Sequence, residues 1–256
     1  MQLDPAAAAA GVRLVVHDSL GSTNAEALTL ARGGERGPLW IVAHRQSAGR
    51  GRRGRKWTSE PGNLYATLLL SDLGASASVA QLSFVAALAV HDAITVAASG
   101  IAPLALKWPN DVLWGGKKIC GILLEGESFA AASAAVTVGI GVNCKHHPRD
   151  TEFPATDLAA EGIMAAPDQV FYALSRTMML RVDQWRSGAG FAATRADWLS
   201  RAAGIGQPLR VRLHDRETTG VFEALDERGQ LLLRKSDGTI EAVTAGDVFP
   251  LQAEHT

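Results

Sequence analysis

The run Gly49-Arg50-Gly51-Arg52-Arg53-Gly54-Arg55-Lys56-Trp57 carries residue types suited to holding an anion. Arg45, Arg50, Arg52, Arg53, Arg55 and Lys56 fall within 45–56, and no acid interrupts them. Glycine lets the backbone aim successive amides at one charge. Arginine adds a planar, permanently charged donor set that matches phosphate or carboxylate. The plain alternative is a solvated surface loop. The run also fits G-x-G-x-x-G, the dinucleotide fingerprint, with Asp72 placed as a ribose-binding acid. That motif needs a helix straight after its glycines. Pro61 and Gly62 forbid one, so the reading is rejected.

Three further segments carry chemistry-bearing residues. Lys107-Trp108-Pro109-Asn110-Asp111 ends a strand sharply and projects side chains at its tip. In Gly116–Glu125 a lysine, Lys118, enters an apolar strand that also holds Gly121, a sign of close approach by a ligand or another backbone. Gly139-Ile140-Gly141-Val142-Asn143 places two glycines at the end of an apolar strand. Taken singly, each has a structural reading: a turn, an edge lysine, a bulge. Cys120 and Cys144 form no C-x-x-C pair and read as small apolar fillers. His146 and His147 are adjacent, point differently and lack a third ligand, so no metal site is expected.

These segments need a scaffold. The chain has 256 residues, 47% hydrophobic and 20% charged, with net charge -1, an ordinary globular balance. A whole-protein grip on nucleic acid is disfavoured. No basic, apolar leader begins the chain, and no run of about 18 apolar residues is present, so a soluble cytoplasmic protein without a membrane span is expected. Strands are expected at 12–17, 39–43, 64–70, 104–107, 112–114, 119–125 and 136–143. Helices are expected at 25–32, 79–98, 167–186 and 191–202, the first with a capping box from Thr23 to Glu26. Residues 44–63 and 144–157 read as long loops, a type that is usually functional or disordered. Gly115-Gly116 suits a hairpin turn. After Gly206 five short β runs, at 209–213, 219–224, 231–233, 240–243 and 247–251, point to a small all-β unit.

In their order, these motifs resemble the biotin protein ligase family. The resemblance rests on Ser22-Thr23-Asn24, Gln46, the arginine–glycine run, K-W-P-N-D, the hairpin lysine before G-I-L-x-E, and G-x-G-x-N, and runs from about residue 12 to residue 251. It implies an α+β fold: a mixed sheet packed with helices, of the class II synthetase-like biotinyl/lipoyl ligase type, over 1–205. A small SH3-like β-barrel follows over 206–256. It implies that biotin is activated with ATP as biotinyl-5′-AMP, then passed to one lysine of a biotin carboxyl carrier domain of acetyl-CoA carboxylase or a related carboxylase.

By resemblance, Ser22, Thr23, Asn24, Gln46, Arg50, Gly51, Arg52, Lys118 and Gly121 bind biotin. Arg50, Arg52, Lys118 and Asn143 bind ATP. Lys118 and Arg52 act on the developing charge, and Asp111 handles the acceptor amine. Asn24 is also expected to hold its turn, and Trp57 to pack the loop. Residues 144–157 lie where the family closes over adenine. Magnesium should arrive with ATP, and no tightly bound cofactor or metal is expected. The arginine–glycine loop should order when its anion binds, because six clustered cations repel. Only about eleven residues precede the first strand, so operator DNA binding is not expected; a homodimer stays open. The rivals are a lipoate or octanoate ligase or transferase of the same fold and, more remotely, a basic-loop nucleic-acid-binding module.

Overall fold

The computed structural model of the chain describes residues 1–71, 73, 76–100, 102–128 and 134–251. Asp72 and residues 252–256 of the expected C-terminal unit lie outside them. Seven strands form one mixed sheet: β1 (Arg13–His17), β2 (Leu39–Ala43), β3 (Leu64–Ser71), β4 (Leu104–Lys107), β5 (Asp111–Trp114), β6 (Lys117–Ser128) and β7 (Ala134–Val142). Their order is β1-β2-β3-β7-β6-β5-β4, and only β1 and β2 run parallel. Helix α1 (Pro5–Ala9) precedes β1, and α2 (Thr23–Arg32) crosses from β1 to β2. Helices α3 (Leu82–Ala97), α4 (Pro167–Trp185) and α5 (Phe191–Leu199) follow.

The period of two along β3 and β7 divides the sheet into faces. Leu64, Ala66, Leu68 and Leu70, with Val136, Val138, Ile140 and Val142, pack into the large core with α3, α4 and α5. The alternate residues face α2, where Ala27 and Ala31 meet Leu39, Ile41, Leu69 and Ala135. Residues 79–97 are long and apolar enough to cross a membrane by composition, yet α3 is mostly buried against the sheet and α4.

Strands β8 (Pro208–Arg212), β9 (Glu217–Leu225), β10 (Leu231–Arg234), β11 (Ile240–Val243) and β12 (Asp247–Pro250) form a second, antiparallel sheet ordered β11-β10-β9-β8-β12. It fits the expected SH3-like unit. Leu209, Val211, Phe222, Leu225, Leu231, Leu233, Val243 and Val248 are buried in the same core as the larger sheet. The Trp108 indole N–H donates to the Gly229 carbonyl at 3.0 Å, joining the K-W-P-N-D turn to this unit.

The mixed sheet with helices, the hairpin at Gly115-Gly116 and the five C-terminal strands match the sequence reading. Both turn glycines have positive φ, 53° and 80°. Three details differ. Helix α1 was not anticipated, although Asp4 caps it and Pro5 begins it. The expected 79–98 helix begins as a 3-10 turn and becomes α-helical only at Leu82, and the 191–202 helix ends at Leu199. The capping box at Thr23 does not form: Ser22 is the N-cap and makes no side-chain cap bond. Thr23 spends its hydroxyl on tertiary partners instead.

Candidate active site

An open cavity of about 500 Å³ lies on the α2 face of the large sheet and reaches the second sheet. All eleven residues singled out from the sequence line it: Ser22, Thr23, Asn24, Gln46, Arg50, Gly51, Arg52, Asp111, Lys118, Gly121 and Asn143.

Its floor is made of missing side chains. Gly121 pairs with Gly141 across β6 and β7, and Gly139 pairs with Thr67 and with Leu123. Trp57 lies on the first pair. A Cβ at Gly141 would stand 2.6 Å from the indole nitrogen, and one at Gly121 3.0 Å from the ring. A Cβ at Gly139 would stand 2.3 Å from the Asn24 side-chain oxygen. The G-x-G spacing therefore clears two places on one face, one for Asn24 and one for Trp57. Trp57 packs as expected, and its indole N–H has no partner among the described residues.

Lys118 reaches this face through a break in the ladder. The β5–β6 register shifts between Val112 and Leu113: Val112 pairs with Cys120, and Leu113 with Lys118. Consecutive residues Ile119 and Cys120 both enter the core, so the parity of β6 is reversed before them. A bulge re-aims side chains in this way. Without it, strict alternation would place Lys118 on the core side with Cys120. The Lys118 amide donates to the Pro154 carbonyl at 2.7 Å, and its carbonyl accepts from the Thr156 amide at 2.9 Å. Its ammonium is 2.6 Å from Asp111 Oδ1, an ion pair outside hydrogen-bond alignment.

The Ser22–Asn24 turn is tied to the sheet and to the arginine–glycine loop by side-chain hydrogen bonds. Gln46 Oε1 accepts from the Thr23 amide at 2.8 Å and from its hydroxyl at 3.1 Å. Gln46 Nε2 donates to the Ser59 hydroxyl at 2.9 Å. Asn24 donates to Glu125 at 2.8 Å, while its oxygen accepts from Thr67 at 2.7 Å. The expectation that Asn24 holds the turn agrees with this network. The Ser22 hydroxyl, free of capping duty, lines the cavity.

The arginine–glycine loop finds carboxylates within the chain. Arg50 pairs with Glu125 at 3.2 Å. Asp247, on β12, pairs with Arg53 at 3.3 Å, with Arg55, and with Arg212 at 3.4 Å. Burial works against the Asp247 charge, but the arginines, Arg55 foremost, win and hold its carboxyl below the usual range. Arg52 donates to Asn110 at 3.1 Å and to the Gly246 carbonyl at 3.4 Å. Burial lowers the Arg52 pKa, against the pull of Asp247 and Asp111. The argument from unrelieved repulsion among six cations is thus corrected: Glu125 and Asp247 already neutralise part of that charge.

Asn63 pins the root of the 144–157 loop. Its side-chain oxygen accepts from three successive amides, those of Cys144, Lys145 and His146, at 2.9, 2.9 and 3.1 Å. The buried Asn143 side chain donates to the Thr156 carbonyl at 3.0 Å, closing the loop from its other end. Cys120 and Cys144 are buried and unpaired. Burial pushes both thiols up, Cys144 to about 12, which leaves neither available as a nucleophile. Among the described residues no group of three His, Cys, Asp or Glu side chains could hold a metal ion.

Several lining residues had no assigned role in the sequence: Lys107, Phe153, Arg212, Asp247 and Phe249. Lys107 stood inside a quoted motif. The others come from a divergent loop and from a unit whose sequence showed only strands and turns. The assembled cavity combines a cationic cradle, neutral hydrogen-bond partners and a lysine paired to a carboxylate. That set can hold an acid against a phosphate and stabilise charge as they react.

The model of the biotin/lipoate A/B protein ligase family matches residues 22–143, which carry all eleven of these positions. The biotin protein ligase C-terminal domain matches residues 204–249. The chain is 42% identical to the biotin–[acetyl-CoA-carboxylase] ligase of Paracoccus denitrificans, over 89% of this chain and 96% of that protein. Among solved structures, the Aquifex aeolicus biotin protein ligase in complex with biotin and ATP superposes with a TM-score of 0.79 at 26% identity. That match covers 94% of this chain and 99% of the other. The Leishmania major biotin protein ligase in complex with biotinyl-5-AMP gives 0.61 at 25% identity, covering 91% and 99%. Cavity, flanking sheets and sequence likeness extend over the same residues, and the chain belongs to the biotin/lipoate A/B protein ligase family.

Proposed function

We propose that the chain is an ATP-dependent biotin–[acetyl-CoA-carboxylase] ligase: it joins biotin to ATP as biotinyl-5′-AMP and passes biotin to a lysine of a carboxyl carrier domain. The observation that carries this reading is the convergence, in one cavity, of Arg50, Arg52 and Lys118 with Ser22, Thr23 and Gln46. The first step brings a carboxylate against a triphosphate, and like charges about 4 Å apart repel by ~4 kcal/mol per pair at an effective dielectric near 20. The cations offset that repulsion. Ser22, Thr23 and Gln46 offer partners for biotin's neutral ureido ring, which has two N–H donors and one carbonyl. A lipoyl or octanoyl tail needs no such partners, so the polar end of the cavity favours biotin.

Asn24 and Gly121 shape the biotin site, Gly51 lines it with its amide donated to the Arg55 carbonyl at 2.7 Å, and Asn143 holds the loop that covers the adenine. Magnesium enters with ATP, held by phosphate and water. We read 1–205 as the catalytic unit and 206–256 as an accessory unit that steadies the arginine–glycine loop. The cytoplasm is the proposed compartment, where ATP and carboxylase meet.

In the second step Lys118 and Arg52 hold the adenylate phosphate as charge builds on it, while Asp111 orients the incoming amine. A free lysine has a pKa of about 10.4, so roughly one in 2,500 is neutral at pH 7. The test is transfer of labelled biotin to a carrier domain, with and without ATP, by the native protein and Lys118→Ala, with octanoate as competitor. ATP-dependent labelling, lost in Lys118→Ala and indifferent to octanoate, is the expected result. Octanoyl transfer in place of biotin would overturn the substrate and leave the fold.

A further inference from the structure

Lys107 ends β4 directly opposite Asp111 in the β4–β5 ladder. Its side chain is only 12% exposed. The ammonium sits 3.6 Å from the Phe153 ring centroid and 5.8 Å from that of Phe249, so two aromatic rings from different parts of the chain flank it. Asp111 is shared unequally between two lysines. Its Oδ1 is 2.6 Å from Lys118, whereas its Oδ2 is 3.8 Å from Lys107, beyond hydrogen-bond reach. One oxygen is paired with Lys118, and the other faces an amine that has no hydrogen-bond partner among the described residues.

We propose that Lys107 is the general base of the transfer step, taking the proton of the acceptor lysine while Asp111 Oδ2 holds that amine. The inference rests on the ligase reading. The acceptor ammonium gives one proton to neutral Lys107 Nζ. Its freed electron pair attacks the biotinyl carbonyl carbon of the adenylate. The C–N bond forms, and the C–O bond to phosphate breaks with its electron pair leaving on AMP. The second amine proton leaves through Asp111 to water, and Lys107 then releases its own proton to solvent.

The surroundings of Lys107 suit that duty. Burial lowers its pKa to about 8; Asp111 and Asp247 favour the charged form, while Lys118 and Arg52 oppose it. About one Lys107 in four is then neutral at pH 7.5, against about one in a thousand for a free lysine. Phe153 and Phe249 pack about the amine, and Arg210 and Arg212 stack on Phe249 at 5.0 Å, so the Lys107 side chain keeps only 12% of its surface at the cavity wall.

The test is single-turnover transfer from preformed biotinyl-5′-AMP, followed across pH, with two acceptors. One is the carrier domain. The other is hydroxylamine, a nucleophile already neutral at pH 7.5. Lys107→Arg keeps the positive charge but cannot act as a base. Its transfer to the carrier should fall at least ~100-fold and lose the inflection near pH 8, whereas transfer to hydroxylamine should fall far less. Lys107→Cys, aminoethylated, restores an amine more acidic than lysine and should move the inflection to lower pH. Cys120 and Cys144 are buried and escape the reagent. Equal losses with both acceptors, or an inflection that ignores the aminoethyl group, would overturn the proposal. Failure of the native protein to make adenylate from biotin and ATP would instead overturn the ligase reading.

Discussion

Asp247 of β12 and Arg53 of the arginine–glycine loop, 194 residues apart in sequence, form an ion pair at 3.3 Å across the two sheets. Asp247 is 12% exposed and also takes Arg55 and Arg212, so this carboxylate is a shared anchor rather than an isolated surface pair. The second sheet thereby holds a loop of the first in place.

Asp247→Asn should slow adenylate formation about tenfold, the equivalent of ~1.4 kcal/mol, mainly through weaker biotin and ATP binding. The folded-state pKa of Asp247 is depressed, so its contribution to stability is present above the unfolded pKa near 4 and is lost as pH falls through the folded value. Urea melts of native and variant protein should differ at pH 7 and converge as the pH drops below 4. A gap that persists at pH 2 would show that the anchor is not electrostatic.

Gly141→Ala should expel Trp57 from the floor, because the added methyl meets the indole at 2.6 Å. Overpacking of this kind costs about 1–3 kcal/mol. The melting temperature and biotin affinity should fall together, and intrinsic fluorescence should shift as Trp57 gains water. A variant with native fluorescence and native affinity would contradict the described packing.

Trypsin should cut within 50–56 in the unliganded protein and be slowed there by biotin with ATP. Part of the loop charge is neutralised internally, so the unliganded cleavage rate should rise in Asp247→Asn. Mass spectrometry of the nicked fragments measures both effects. Equal cleavage with and without ligand would show that the loop does not tighten.

Cys120 and Cys144 should resist iodoacetamide at pH 8 in the folded state and react fully in urea, because burial raises both thiols. Rapid labelling of the folded protein would mean that the strand ends open readily.

The hydrophobic periods were enough to locate the strands and the long helices, since β3, β7 and α3 bury what their sequences promise to bury. The short motifs marked residues that the structure gathers around one cavity, because their glycines and charges are out of place on an ordinary strand. Two features were hidden for physical reasons. The bulge that turns Lys118 depends on pairing with β5, and nothing in residues 117–125 alone records a register shift. Asp247 reads locally as a strand-start acid, and its duty exists only when β12 lies against a loop almost two hundred residues away. Thr23 illustrates the reverse error: a local capping signal lost to tertiary partners at Gln46 and Thr67.

The glycine floor also bears on the order in which the protein assembles. Strands β6 and β7 can pair early through a short connection, but the face they form lacks side chains at residues 121, 139 and 141. Asn24 and Trp57 fill those places from distant parts of the chain, and Asn24 donates to Glu125 across 101 residues. Contacts so far apart in sequence form slowly, because a long loop must close before they are made. The hairpin should therefore mature in two stages, its core side first and its cavity side last. The fluorescence change that is lost in Trp57→Phe should lag behind the regain of β-sheet signal during refolding, and activity should return with the slower of the two.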